Sequence, residues 1–290
     1  MIKNTNDGTQ ASPYLRTDLN MGSLANLPNF STGPRGDDWT THQAIKAAGF
    51  AGIQDGNKEH CKTLGLGRTG GGRVDKIGDA DAAAKRGQDD GLECITLHVG
   101  SGLESEAELY SLVEDIIGAT ERHGFPLYIE THRATITQDI WRTVQVALKF
   151  PEVRFNGDFS HWYTGHEMVY GDFEKKLDFM APVLERVRFI HGRIGNPGCM
   201  QVDIGDGKGR TYVDHFREIW TRCFAGFLKS AAPGDYICFA PELLFASIYY
   251  ARVFPNANGE LVEEGDRWQQ AILYAQIARE CFEAAKLRVS

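Results

Sequence analysis

Two hydrophobic patterns alternate along the chain. Short strand-like runs recur at Tyr14 to Met21, Phe50 to Gln54, Arg68 to Val74, Leu92 to Val99, Leu127 to Ile129, Val153 to Phe155, Val187 to Ile190 and Tyr236 to Ala240. Several are apolar throughout, as expected of parallel strands covered on both faces. Between them lie stretches with a 3.6-residue apolar period. The clearest, 104–123, sets Leu109, Leu112, Val113, Ile116 and Ile117 on one face and stops at Gly124. Ile140, Trp141, Val144, Ala147 and Leu148 mark another. Helices are likewise expected from Trp39 to Ala48, Asn57 to Thr63, Asp75 to Gln88, Gly171 to Leu184, Tyr212 to Lys229 and Glu264 to Lys286. Strand and helix alternate without a compositional break, so the pattern predicts one (β/α)8 barrel over residues 14–290. Residues 1–13 are polar and read as a flexible N-terminal arm. An open doubly wound sheet is disfavoured because no G-x-G-x-x-G follows the first strand.

The late strands share a feature the early ones lack. Those at Leu127, Val153, Val187 and Tyr236 run into Glu130, Asp158, His191 and Glu242. Strands joined by helical crossovers are parallel, so these four groups leave the same edge of the sheet. Charge at the end of a buried strand needs compensation, and a divalent cation suits three carboxylates and an imidazole. The donor mixture fits Mn²⁺, Mg²⁺, Co²⁺ or Zn²⁺ better than a thiolate-selective metal. Glu130 and Glu242 would also face the two sides of a bound polyol. One could remove a proton beside a carbonyl and the other return it through an enediolate. Alternatively both only ligate the metal and another group is the base.

Composition narrows the function without deciding it. Acidic residues number 39 against 31 basic, a formal charge of −8, and no basic run stands out. This argues against nucleic acid or an anionic membrane as the main partner. The N-terminus has no apolar signal core and no stretch approaches a spanning helix, so a cytoplasmic protein is expected. The six cysteines form no C-x-x-C pair and read as reduced and structural. The Arg68 to Arg73 stretch, RTGGGR, could cradle a phosphate or form a flexible rim loop. Trp162 and Tyr163 could stack on a sugar or pack against the rim.

ETHR at 130–133, GDFSHW at 157–162, FIHGR at 189–193 and FAPELL at 239–244 resemble the sugar-phosphate isomerase/epimerase group of xylose-isomerase-like TIM barrels. That group includes ketose 3-epimerases, hydroxypyruvate isomerase and inosose dehydratase. The resemblance implies one divalent metal per chain, Mn²⁺ first, held by Glu130, Asp158, His191 and Glu242. It also implies Glu130 and Glu242 as the catalytic acid/base pair and His161 and Arg193 as substrate contacts. Arg193 follows its histidine at a shorter spacing than in ketose 3-epimerases, and Ile136 stands where those carry a further acid. His98 and His132 could line the sugar pocket. Homodimers and homotetramers are common in the group. Its rivals on the same scaffold are a lyase dehydrating an inosose or 3-keto sugar, an endonuclease IV-like phosphodiesterase and a non-catalytic sugar-binding barrel. The phosphodiesterase needs histidines that are absent between His191 and His215.

Overall fold

The computed structural model describes residues 2–289. In chain order the elements are β1 (Thr5–Asn6), β2 (Tyr14–Asn20), α1 (Asp38–Ala47), β3 (Gly52–Gln54), α2 (Lys58–Leu64), β4 (Gly67–Val74), α3 (Asp79–Asp90) and β5 (Ile95–Val99). Next come α4 (Glu106–His123), β6 (Leu127–Glu130), α5 (Ile140–Lys149), β7 (Phe155–Asn156), α6 (Ser160–Gly165), α7 (Phe173–Leu184) and β8 (Val187–Gly192). The chain finishes with α8 (Thr211–Leu228), β9 (Asp235–Pro241), β10 (Val253–Pro255), β11 (Leu261–Glu263) and α9 (Arg267–Val289). Strands β2 to β9 pair in parallel in sequence order, and β9 pairs back onto β2, closing an eight-stranded barrel. This is the (β/α)8 architecture the alternation predicts.

Local chemistry explains where the helices begin and end. The side chains of Asp37, Asn57, Ser105, Asp139 and Asp172 each accept a backbone N–H of the first turn that follows. Ser105 and Glu108 form a reciprocal capping box at the start of α4. Gly124 ends that helix at φ 62°, a left-handed conformation that glycine adopts without strain. The apolar face of α4, Leu109, Leu112, Val113 and Ile116, is buried. Each such side chain contributes roughly 1.5–3 kcal/mol by leaving water.

Three expectations change. The N-terminal arm is tied down instead of loose. Thr5 and Asn6 pair antiparallel with Tyr236 and Asp235, Ile2 is buried, and Asn4 bonds both Asp235 and Arg188. Tyr128 donates to the carbonyl of Lys3 as well, so the arm lies across the N-terminal ends of β6, β8 and β9. The RTGGGR stretch is β4 itself, paired with β5 from Gly70 to Val74, and forms no loop. A hairpin of β10 and β11, not foreseen from the sequence, is inserted between β9 and α9. No helix among the described residues is long and apolar enough to cross a membrane.

Candidate metal centre

Side chains alternate across a strand, so in β6 Tyr128 and Glu130 share one side while Leu127 and Ile129 take the other. Glu130 thereby ends its strand 2% exposed and inside the barrel. Asp158 lies just beyond β7 and Glu242 just beyond β9, while His191 is within β8. Glu130, Asp158, His191 and Glu242 bring one ligand atom each to within 4.8 Å of one another. The four residues singled out in the sequence therefore converge.

Neutral amides at the ends of other strands hold this cluster in place. Gln54, at the end of β3, lies with Oε1 2.8 Å from His191 Nε2. Its own amide donates to Thr96 at 2.9 Å and Asn20 donates back to it at 3.0 Å. Asn20 also donates to Glu242 at 3.1 Å. Asn156, ending β7, donates to Glu130 Oε2 at 3.0 Å, and its Oδ1 accepts the backbone N–H of His191 at 3.0 Å. With Nε2 directed at Gln54, His191 Nδ1 faces Glu130 Oε2 at 3.2 Å and Glu242 Oε2 at 3.5 Å.

Arg193 is buried beside the acids. Its Nε donates to the Glu242 carbonyl at 2.9 Å, Nη2 pairs with the Glu242 carboxylate, and Nη1 lies 3.4 Å from Asp158 Oδ2. The guanidinium sits over the Tyr250 ring, 4.4 Å from its centroid. His161, on α6, places Nε2 3.4 Å from Asp158 Oδ2. His98 Nε2 lies 3.2 Å from Glu130 Oε1, and the rings of His98, His132 and His161 run in file at 4.2 and 3.9 Å.

These contacts set the charges. Burial pushes the Glu130 carboxyl up, but His191 and His98 outweigh it and hold the group well below the usual carboxylate range. Burial likewise opposes ionisation of Asp158, and Arg193 with His161 reverses it. His191 would be lowered by burial, yet Glu242 and Glu130 raise it to about 9. His132 goes the other way, lowered to about 3 by burial and by His161.

The donor set fits a divalent cation on a further ground. Among the acids, Glu130 Oε1 and Asp158 Oδ2 are buried with no short hydrogen bond, only the longer ionic contacts to His98, His161 and Arg193 given above. Buried carboxylate oxygens left so weakly satisfied are costly, and a cation would compensate them. A cleft of about 850 Å³, lined by His161, Arg133, Gln138, Tyr249 and Tyr250, opens to solvent beside the cluster, with His161 in contact with both.

Every residue expected at the site lies there, and four more escaped notice. Asn20, Gln54 and Asn156 end strands just as the acids do, and that position was the available signal. Tyr250 lies in an aperiodic loop and gave none. Trp162 and Tyr163 are fully buried, with Trp162 donating to the Thr137 carbonyl at 2.8 Å, so they pack against the rim.

No family model and no curated protein matches the chain. Solved structures do. A xylose isomerase-like TIM barrel protein from Mycobacterium smegmatis in complex with magnesium matches at TM-score 0.55 and 12% identity, over 97% of this chain and 98% of that one. The fold is the TIM barrel that these proteins share. A D-tagatose 3-epimerase-like protein matches at 0.54 and 11%, over 95% and 100% of the two chains. The probable 3-DHS dehydratase from Bacillus anthracis matches at 0.51 and 15%, over 80% and 94%. At these identities the likeness is one of fold, and it is consistent with the resemblance carried by the four strand-end segments.

Proposed function

We propose that the protein is a divalent-metal-dependent isomerase or epimerase of a small sugar, ketose or sugar derivative. The observation that carries this reading is the convergence of Glu130, Asp158, His191 and Glu242 within 4.8 Å, with buried carboxylate oxygens left without a short hydrogen bond. Those four residues would hold the ion, Mn²⁺ in the first instance, with Mg²⁺, Co²⁺ and Zn²⁺ as substitutes. Magnesium in the Mycobacterium smegmatis barrel supports an oxygen-rich site of this kind. When bound, the cation would supply a Lewis acid that polarises a carbonyl and steadies the negative charge of an enediolate.

The protein's own groups do the rest. Glu242 is partly exposed and Glu130 is buried, each close to His191 Nδ1, so one can take the proton on carbon while the other returns it. His161 lines the cleft and its Nδ1 has no partner, so it is available to hydrogen-bond a substrate hydroxyl. Arg193 keeps Asp158 ionised and ties it to Glu242. Tyr250 and the cleft walls limit water around the reacting carbon. The same reading makes the protein a cytoplasmic homo-oligomer, and its six free thiols suit a reducing compartment.

Ile136 is buried where ketose 3-epimerases carry an acid, and this favours a second reading on the same intermediate. An enediolate can expel a β-substituent, which would make the enzyme a dehydratase of an inosose or 3-keto sugar. The test is to load the protein with Mn²⁺, incubate it with a panel of ketoses and inososes in D₂O, and read products by mass spectrometry. Deuterium beside the carbonyl is expected. Unchanged product mass apart from deuterium gives the isomerase, and loss of water gives the dehydratase. No exchange with any substrate, on a protein that holds no metal, would discard both.

A further inference from the structure

Arg16, Arg193 and Arg267 are buried, and each faces a carboxylate: Asp18, Glu242 and Glu263. Arg154 and Arg188 are buried as well, 6% and 2% exposed, yet among the described residues no acid comes within 4.0 Å of either guanidinium. Their partners are neutral. Arg154 Nη1 donates to the carbonyls of Pro151 and Val153 at 2.9 and 2.7 Å, while its Nε is buried with no hydrogen-bond partner. Arg188 donates to the carbonyls of Glu185 and Val187, to Asn4 Oδ1 and to Ser230 Oγ.

A third arginine lies with them. Strands β7 and β8 pair with Phe155 opposite Val187, so Arg154 and Arg186 enter their strands side by side and Arg188 follows two residues after Arg186. Arg186 is half-buried and also meets a carbonyl, that of Pro182 at 2.5 Å. Burial and Arg186 push the Arg154 guanidinium below its ordinary value, and burial with Arg154 lowers Arg188 to about 10. The nearby acids do not settle this charge. Asp235 is taken up by Asn4, Asn6 and the backbone N–H of Ala232, and Glu185 pairs with Lys229. Glu152 offsets Arg154 less than Arg186 opposes it. The N-terminal arm closes over the group, with Asn4 on Arg188, the Ile2 N–H on the Glu152 carbonyl at 3.1 Å and the Lys3 carbonyl on Tyr128.

Buried cations that face one another without an acid are costly unless something negative joins them. We propose that Arg154, Arg186 and Arg188 form an anion site at the N-terminal mouth of the barrel, beneath the arm, and that it binds a phosphate group. Guanidiniums keep their charge at all working pH values and offer paired N–H donors that match the oxygens of a phosphate. The site stands apart from the carboxylate cluster, which lies at the opposite mouth, and does not depend on what that cluster does.

The full chain, in chloride buffer without added metal, is titrated with inorganic phosphate at constant ionic strength, by calorimetry and by melting curves. Saturable binding with a rise in melting temperature is expected. R154M and R186M should each weaken it by about tenfold or more, as expected for a lost hydrogen bond between charged groups. Arg186 is half-buried, so R186M should fold even if R154M does not. R133M, in the cleft, should bind phosphate as the wild type does. Acetate at equal ionic strength should give no saturable shift. Phosphate binding that survives R154M and R186M, or that R133M alone removes, would place the anion elsewhere and overturn the proposal. Equal shifts with acetate, or no binding at all, would overturn it too. Metal content measured on the same protein reports on the carboxylate cluster separately.

Discussion

Gln54 Oε1 lies 2.8 Å from His191 Nε2, joining β3 to β8 across the barrel interior. The contact fixes which nitrogen of His191 faces the three carboxylates. Replacing Gln54 with Leu frees the imidazole to rotate. Metal affinity is expected to fall by about 10–100-fold, the usual effect of losing a group that orients a ligand. Calorimetric titration with Mn²⁺ would check it, and unchanged affinity would deny Gln54 this role.

Asp158→Ala should cost affinity and stability together. It removes a ligand and leaves Arg193, 1% exposed, with one fewer counter-charge. Arg193 keeps its Glu242 partner, so the loss should fall below the roughly 3–5 kcal/mol of a buried charge left wholly unpaired. The melting temperature of the metal-free variant is the measurement, because there the effect cannot come from lost metal. Asp158→Ala/Arg193→Met is expected to recover part of the loss.

Glu242→Gln keeps the shape and an oxygen for Arg193 but cannot accept a proton. Turnover should fall by about 10²–10⁴, the range typical of a lost general acid or base. Bound metal, measured in parallel, should persist in large part. Near-full activity would remove Glu242 from proton transfer.

The metal-free protein should lose stability in mild alkali. His191 titrates at about 9 because Glu242 and Glu130 overcome the effect of burial. Its unfolded value is near 6.5. A raised folded pKa contributes fully below about pH 6.5 and is lost as pH rises through 9, on the order of 3 kcal/mol here. The cation replaces that same proton, so its affinity should rise across the window. Melting curves from pH 6 to 9.5, with and without Mn²⁺, should therefore diverge.

The sequence announced the barrel because several strands are apolar on both faces and α1, α2, α4, α5 and α7 each carry a side-chain cap. Glu130, Asp158, His191 and Glu242 were legible for a related reason: charge at the end of an apolar strand is conspicuous. Asn20, Gln54 and Asn156 occupy equivalent ends, but a neutral amide there passes for an ordinary turn residue. The β10–β11 hairpin has no buried alternation to reveal it, since Val253, Phe254 and Leu261 are all exposed. Strand β1 is two residues long and owes its conformation to pairing with β9, which no local pattern encodes. The file of His98, His132 and His161 joins a residue of β5, a loop residue and a residue of α6, which no local pattern brings together.

The arm that crosses the N-terminal ends of β6, β8 and β9 also gives the molecule a handle. The cleft opens at the opposite mouth, so a surface, fluorophore or fusion partner coupled ahead of the arm is carried to the far side from the chemistry. Immobilised that way, the protein would present its cleft to solution, and ligand binding could be followed on a sensor chip without a linker obstructing it. Coupling through the exposed β10–β11 hairpin would do the reverse, because Val253 and its neighbours line the cleft itself.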